Sequence, residues 1–226
     1  MEKKQPILIT EVPRSGAGII AGALQQAGIF FGEVNALYQN TCISDELVLS
    51  LLQQNADPNG YFPLPAIGNQ KISVHLKDNV TKMLSLQGRE RGQKWAFVDH
   101  RLILDWKAWN AAFPEALWVV VRRDTEDIIN SCLKTGWMQT YHKAAIQQRL
   151  GVSTAEAGWR WMVEQYLIRL QDLYNGVRYN LTIHPHKVAR KNYGEIEQLL
   201  SICGCQMDEN VLNYVHSKLR RCRNEN

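Results

Sequence analysis

Apolar positions along this chain fall into short unbroken runs that alternate with longer stretches of helical spacing, the pattern of strands buried on both faces between amphipathic helices. The first run, residues 6–12, is β-branched and apolar, and a glycine-containing turn separates it from Ile19-Ile20-Ala21-Gly22-Ala23-Leu24, which has helical spacing. Trp95-Ala96-Phe97-Val98 reads as a second strand, with Asp99-His100-Arg101 at its C-terminal end and an amphipathic stretch over 102–113 that Pro114 closes. Leu117-Trp118-Val119-Val120-Val121 is the clearest central strand, and Arg122-Arg123-Asp124 follows it at once.

Further along, Asp124 or Thr125 caps a helix through Cys132, and Ser153-Thr154-Ala155-Glu156 is a capping box that opens a long helix to about Tyr174. Residues 187–190 read as the last strand, followed by helices over 193–203 and 208–219. Residues 71–76 read as a strand that gives way to a helical stretch over 78–86. Residues 31–68 mix Asn, Pro and Gly around one helical piece, 45–53, and read as a lid or substrate-facing excursion. Strands alternating with helices predict an α/β fold: a three-layer, doubly wound, mainly parallel sheet in one domain over 1–226. Such a sheet takes its ligands at the C-terminal ends of its strands, where the polar motifs fall.

Composition narrows the class. A hydrophobic content of 45% with 21% charged residues excludes wholesale disorder and low complexity. The apolar run after Met1-Glu2-Lys3-Lys4-Gln5 is broken by Glu11 and Pro13, too early for a signal peptide or a membrane span, and no later stretch does better. The five cysteines (Cys42, Cys132, Cys203, Cys205, Cys222) have no paired metal-site spacing, which speaks against a zinc site or a disulfide framework. A cytoplasmic setting is the expectation, and Asn180-Leu181-Thr182 is then an accidental sequon. The net charge of +4 favours an anionic ligand but falls short of a nucleic-acid footprint, and the basic cluster over 218–223 reads as a solvated tail.

Candidate chemistry begins in the turn after the first strand. Residues 14–19 place two glycines and small side chains where the backbone bends tightly and exposes N–H groups at a helix start, a nest for phosphate or sulfate oxygens. It is not a Walker A loop, because no Gly-Lys-Ser/Thr follows and no hydroxyl stands where that motif holds magnesium, so a magnesium-dependent kinase ranks last. A glycine-rich turn with no ligand is the plain alternative.

Pro13-Arg14-Ser15-Gly16 resembles the sulfotransferase family, whose phosphosulfate loop reads approximately Pro-Lys/Arg-Ser-Gly-Thr-Ser/Thr directly after the first strand. The family's second element, a strand ending in Arg with a Ser two helical turns later, is matched by Val119-Val120-Val121-Arg122-Arg123 and Ser131. Between them, Trp95-Ala96-Phe97-Val98-Asp99-His100-Arg101 and then Phe113-Pro114 resemble the Trp-x-x-Lys-Asp-Pro-Arg and Phe-Pro of bacterial members. The likeness spans about residues 6–135 and is looser in the helix over 159–173 and the C-terminal helices.

The resemblance implies a P-loop NTPase-like fold and metal-free transfer of sulfonate from 3′-phosphoadenosine 5′-phosphosulfate to a hydroxyl or amine of a small-molecule or carbohydrate acceptor. Arg14 and the amides of Ser15, Gly16, Ala17, Gly18 and Ile19 would surround the transferring group, while Arg123 and Ser131 would hold the 3′-phosphate. The plainer role for Arg123 is a strand-end salt bridge with Asp124 or Asp127. Glu33 and His100 are the candidate bases, Glu33 slightly favoured, with Arg101 steadying Glu33, the sulfonate or a substrate anion and Asp99 positioning Arg101.

Some positions depart from the pattern. Ala17 and Gly18 replace the loop hydroxyls, a loss of about a few kcal/mol toward a charged group. Val98 replaces a Lys, and Ile19 stands where some members carry an adenine-packing Trp. These departures favour a second reading, a catalytically weakened nucleotide- or partner-binding protein on the same fold. Most of Trp106, Trp109, Trp118, Trp137, Trp159 and Trp161 read as core, although Trp159 and Trp161 cannot share one helix face.

Overall fold

The computed structural model describes residues 6–54, 57–67, 74–135 and 139–224. Among them, four strands form one sheet: β1 (Ile7–Glu11), β2 (Ala96–Val98), β3 (Leu117–Val121) and β4 (Asn180–Ile183), in the order β2-β1-β3-β4. Every pair is parallel, with Ile7 opposite both Ala96 and Leu117, and Trp118 opposite Asn180. The chain therefore starts in the middle of the sheet, moves to one edge and returns past β1 to the other. That reversal leaves a crevice at the C-terminal ends of β1 and β3.

Alternation along each strand divides the core in two. Ile7, Ile9, Leu117, Val119 and Val121 face α1 (Ala17–Gln26), α9 (Gly194–Ile202) and α10 (Glu209–Asn224). Leu8, Phe97, Trp118 and Val120 face the other layer, built from α2 (Thr41–Gln53), α3 (Leu76–Leu86), α4 (Trp106–Ala112), α5 (Thr125–Thr135) and α7 (Ala155–Gly176). This is the expected three-layer, doubly wound α/β arrangement. Between these helices lie α6 (Ala144–Leu150) and the short α8 (Pro185–Ala189).

Local rules set several boundaries. Asn40 caps α2 by accepting from the Ile43 N–H, so that helix begins earlier than the expected residue 45. Asp124, not Thr125, caps α5, accepting from the Glu126 and Asp127 N–H groups. Thr154 caps α7 through the Ala157 N–H. The amphipathic stretch over 102–113 breaks at Asp105 into a 3-10 turn, His100–Leu104, and α4. The expected strand over 71–76 is corrected at its described end, since Leu76 opens α3, and residues 71–73 lie outside the described residues.

The expected last strand over 187–190 is also corrected. That stretch lies in and just past α8, which Pro185 opens at its first turn, where a fixed φ and a missing N–H suit a helix start. The strand is Asn180–Ile183, a partly exposed edge whose polar Asn and Thr hide it from an apolar-run search.

α10 packs tightly on α1. The Tyr214 hydroxyl donates to the Gly18 carbonyl at 3.2 Å, and a Cβ on Gly22 would lie 2.0 Å from the same hydroxyl oxygen, so only glycine fits there.

Candidate functional site

The loop between β1 and α1 is wound by two left-handed residues. Gly16 has φ +100° and Arg14 φ +75°, the second unusual for a side chain of this size. Ser15 turns back to the Val12 carbonyl at 3.1 Å, and Gly16 serves as the N-cap of α1 without a capping side chain. Pro185, at the start of α8, flanks the loop: its ring would lie 3.5 Å from a Cβ on Gly16.

Three of the expected anion-holding side chains meet beside this loop. The Arg14 Nε donates to the Ser131 hydroxyl at 3.0 Å, across a separation of 117 residues. Arg123 donates from Nη1 to the Arg14 carbonyl at 3.3 Å and makes an i,i+4 ion pair with Asp127 at 3.6 Å. Its strand-end salt bridge thus goes to Asp127 and coexists with a contact to the loop. Ser15 is 1% exposed and its hydroxyl has no hydrogen-bond partner, an orphaned donor in a loop that carries Arg14 and is met by Arg123. Ala17 is fully buried and offers no side-chain donor, while Gly18 would meet the Tyr38 ring 3.8 Å from an added Cβ. Ile19 is half-buried against the α1 side of the core.

Sequence reading missed Glu11, the last residue of β1. One carboxylate oxygen accepts from the Ala17 N–H at 2.7 Å, and the Gly16 N–H also bonds to the group. Burial pushes its pKa up to about 7, against the lowering effects of those two N–H groups and of Arg14, with Asp99 adding to the rise. The signal was present as an acid at a strand end, six residues before the first helical N–H.

Beyond β2 the polar residues form a different kind of cluster. Asp99 is 1% exposed and takes Arg101 through the main-chain N–H at 2.9 Å, Nε at 2.9 Å and Nη2 at 2.6 Å. Ser44 and Gln39 complete its shell at 3.2 and 3.3 Å. Burial alone would raise the Asp99 carboxyl, but the hydrogen bonds and charge of Arg101 outweigh it and hold it below its usual range.

The remaining Arg101 donor, Nη1, goes to the Pro58 carbonyl at 3.0 Å. His100 bonds through Nε2 to the Asn59 carbonyl at 3.0 Å, with its ring stacked on Tyr61 at 5.8 Å and near Tyr166 at 6.5 Å. Burial lowers its pKa, so the ring is neutral at pH 7 and donates through Nε2. Glu33 lies apart: its side chain is exposed, and its main-chain N–H donates to the Gln87 side-chain oxygen at 3.1 Å. The structure thus gathers Arg14, Arg123 and Ser131 in one place and Asp99, His100 and Arg101 in another, without tying Glu33 to either.

The segment 57–65 is held over this second cluster by its carbonyls. Besides those of Pro58 and Asn59, the Gly60 carbonyl accepts from Tyr166 at 2.8 Å, the Tyr61 carbonyl from Tyr141 at 2.5 Å, and the Pro65 carbonyl from Arg169 at 2.7 Å. Of the tryptophans, Trp106, Trp109, Trp118 and Trp159 are core. Trp161 is half-buried and meets Phe62 edge-on at 5.7 Å, and Trp137 lies outside the described residues. A separate cavity of about 370 Å³, lined by Thr154, Arg160 and Trp161 among others, shares no residue with the strand ends.

No family model matches the chain, and no curated protein matches its sequence. Solved structures do. The sulfotransferase domain from the Synechococcus PCC 7002 olefin synthase superposes with a TM-score of 0.56 at 16% identity, over 93% of this chain and 77% of that one. Sulfotransferase STF1 from Mycobacterium tuberculosis H37Rv gives 0.51 at 15% identity, over 95% and 71%. The chain has the sulfotransferase fold. Sulfotransferase STF9 from Mycobacterium avium agrees, at a TM-score of 0.52 and 13% identity over 98% of this chain and 69% of that one. On the sulfotransferase fold the three-layer sheet read from the sequence is accounted for along nearly the whole chain. No helix among the described residues is long and apolar enough to cross a membrane.

Proposed function

We propose that this chain binds 3′-phosphoadenosine 5′-phosphosulfate, or the diphosphate product, across the ends of β1 and β3 and transfers sulfonate to a hydroxyl or amine of a small-molecule or carbohydrate acceptor. The observation that carries the reading is the meeting of Arg14, Ser131 and Arg123 beside the orphaned Ser15 hydroxyl. A buried donor left without a partner is costly unless a ligand oxygen completes it. The residues therefore fit an anionic nucleotide.

In this reading the Arg123 fork and the Ser131 hydroxyl hold the 3′-phosphate, and Arg14 with the Ser15 hydroxyl faces the phosphosulfate end. When bound, the donor supplies an activated sulfonate whose S–O bond to phosphate breaks as the acceptor oxygen or nitrogen forms a new bond to sulfur. The chain's own task is to hold the leaving phosphate among cations and N–H donors and to receive the acceptor's proton. Glu33 is the better candidate for that base, because its carboxylate is exposed and unengaged whereas the His100 Nε2 is spent on Asn59. Asp99 is the positioning residue that holds Arg101, and the nucleotide is gripped without a metal.

A second reading, a binding protein with weakened catalysis, is favoured by Glu11 in the loop amides and by the hydroxyl-free Ala17 and Gly18. One calorimetric series separates the readings: 3′,5′-diphosphoadenosine, AMP, and ATP with magnesium, followed by an acceptor screen with the sulfonated donor. Selective binding of the diphosphate supports the site, and acceptor sulfonation then decides for the enzyme. Arg123→Ala should weaken the diphosphate about 10- to 100-fold and AMP far less. Equal losses would remove Arg123 from the 3′-phosphate.

A further inference from the structure

We propose that Glu11 is a built-in occupant of the anion nest, and that a phosphate group enters the loop only as Glu11 takes up a proton and gives up the loop amides. This rests on the reading above that the nest receives the phosphate end of a nucleotide.

The geometry points this way from several sides. The N–H groups that Glu11 engages, those of Ala17 and Gly16, are the donors that a helix start offers to an anion. α1 carries no acid in its first turn and its N-cap is a glycine, so the carboxylate from the end of β1 supplies the negative charge from outside the helix. A phosphate oxygen and a carboxylate oxygen cannot both accept the 2.7 Å bond from Ala17. They also cannot sit side by side at low cost, because two anions in one partly buried site repel and one must neutralise.

The surroundings of Glu11 are poised for such an exchange. Arg14 of its own loop attracts it, Asp99 beyond β2 repels it, the charge of Arg101 is directed onto Asp99, and His100 beside Asp99 is neutral near pH 7. From β3, Arg123 reaches the loop through the Arg14 carbonyl, and α1 presents main-chain N–H groups. Burial outweighs the attractions and brings the carboxyl to about 7, so that near neutrality the charged and neutral forms are close in free energy. Binding then couples to protonation with a definite sign. Above pH 7 the free protein holds a charged Glu11, the ligand must bring a proton in with it, and affinity falls by a factor approaching about tenfold per pH unit.

The test is calorimetric titration with 3′,5′-diphosphoadenosine at pH 7.0, 8.0 and 9.0, in buffers of different ionisation heat so that protons are counted. Ligand phosphates, with second pKa values about 6, stay ionised throughout. The wild-type dissociation constant should rise about fivefold from pH 7.0 to 8.0 and about tenfold from 8.0 to 9.0, with proton uptake growing from about one half to about one. Glu11→Gln, which keeps the shape and the acceptor but not the charge, and Glu11→Ala, which vacates the amides, should bind with a nearly constant affinity and more tightly than wild type at pH 9.0. A flat wild-type profile that Glu11→Gln does not change, with the diphosphate still preferred over AMP, overturns the gating and leaves the nucleotide site standing. Absence of diphosphate binding in all three proteins at pH 7.0 overturns both. Should Glu11→Ala fail to fold, Glu11→Gln carries the comparison alone.

Discussion

Two places on this sheet carry charged side chains at strand ends, and they use them differently. At the ends of β1 and β3, Arg14, Ser131 and Arg123 touch one another through single bonds of 3.0 to 3.3 Å, Arg123 remains exposed, and the Ser15 hydroxyl has no partner. Beyond β2, Asp99 takes three bonds from Arg101, and the Arg101 remainder, His100, Tyr141, Tyr166 and Arg169 are committed to carbonyls of residues 58–65. The first group has bonding capacity in reserve for something outside the chain. The second has spent it on the chain itself, and a side chain so engaged contributes to folding before it contributes to chemistry.

That contrast can be broken experimentally, and the largest effect belongs to the second group. Arg101→Ala leaves Asp99 buried beside only neutral donors, and urea unfolding should show a loss of about 3–5 kcal/mol. If Arg101→Ala instead unfolds like wild type while diphosphate binding collapses, Arg101 belongs with the ligand and the division is wrong. Tyr166→Phe removes one buried donor and leaves the Gly60 carbonyl short of a partner, for a loss of about 1–2 kcal/mol with nucleotide affinity unchanged. Ser15→Ala should leave stability unchanged or raise it by about 1 kcal/mol, because it removes a buried hydroxyl that satisfies nothing in the free protein, yet should weaken diphosphate binding several-fold. A clear loss of stability in Ser15→Ala would mean that the hydroxyl already serves the fold.

The same contrast explains what could be read from the sequence. β3 announces itself as an unbroken apolar run and β1 as a short β-branched one because both faces are covered, and the loop after β1 is marked by its glycines and its arginine. β4 does not, since an edge strand with Asn180 and Thr182 half in solvent needs no apolar run, and Val188-Ala189 drew the assignment to a helical turn instead. That Arg14, Arg123 and Ser131 come together was legible because their spacing resembled a family pattern. The retention of His100 and Arg101 by residues 58–65 was not, because main-chain carbonyls accept hydrogen bonds whatever the side chain and leave no mark in the sequence. Glu11 was overlooked for a related reason: an acid ending a strand is unremarkable until the loop folds its N–H groups back onto it.

The Tyr214 hydroxyl that bonds to the Gly18 carbonyl is made 196 residues after its partner. On a ribosome, the helix that follows the β1–α1 loop waits for nearly the whole of the described chain before α10 arrives to cover it. Closing so long a span is slow, and until it closes the apolar face of α1 around Ile20 and Leu24 lacks that cover. The loop is therefore synthesised well before the helix that secures it, so a ligand present during synthesis would meet a loop still free to be shaped around it.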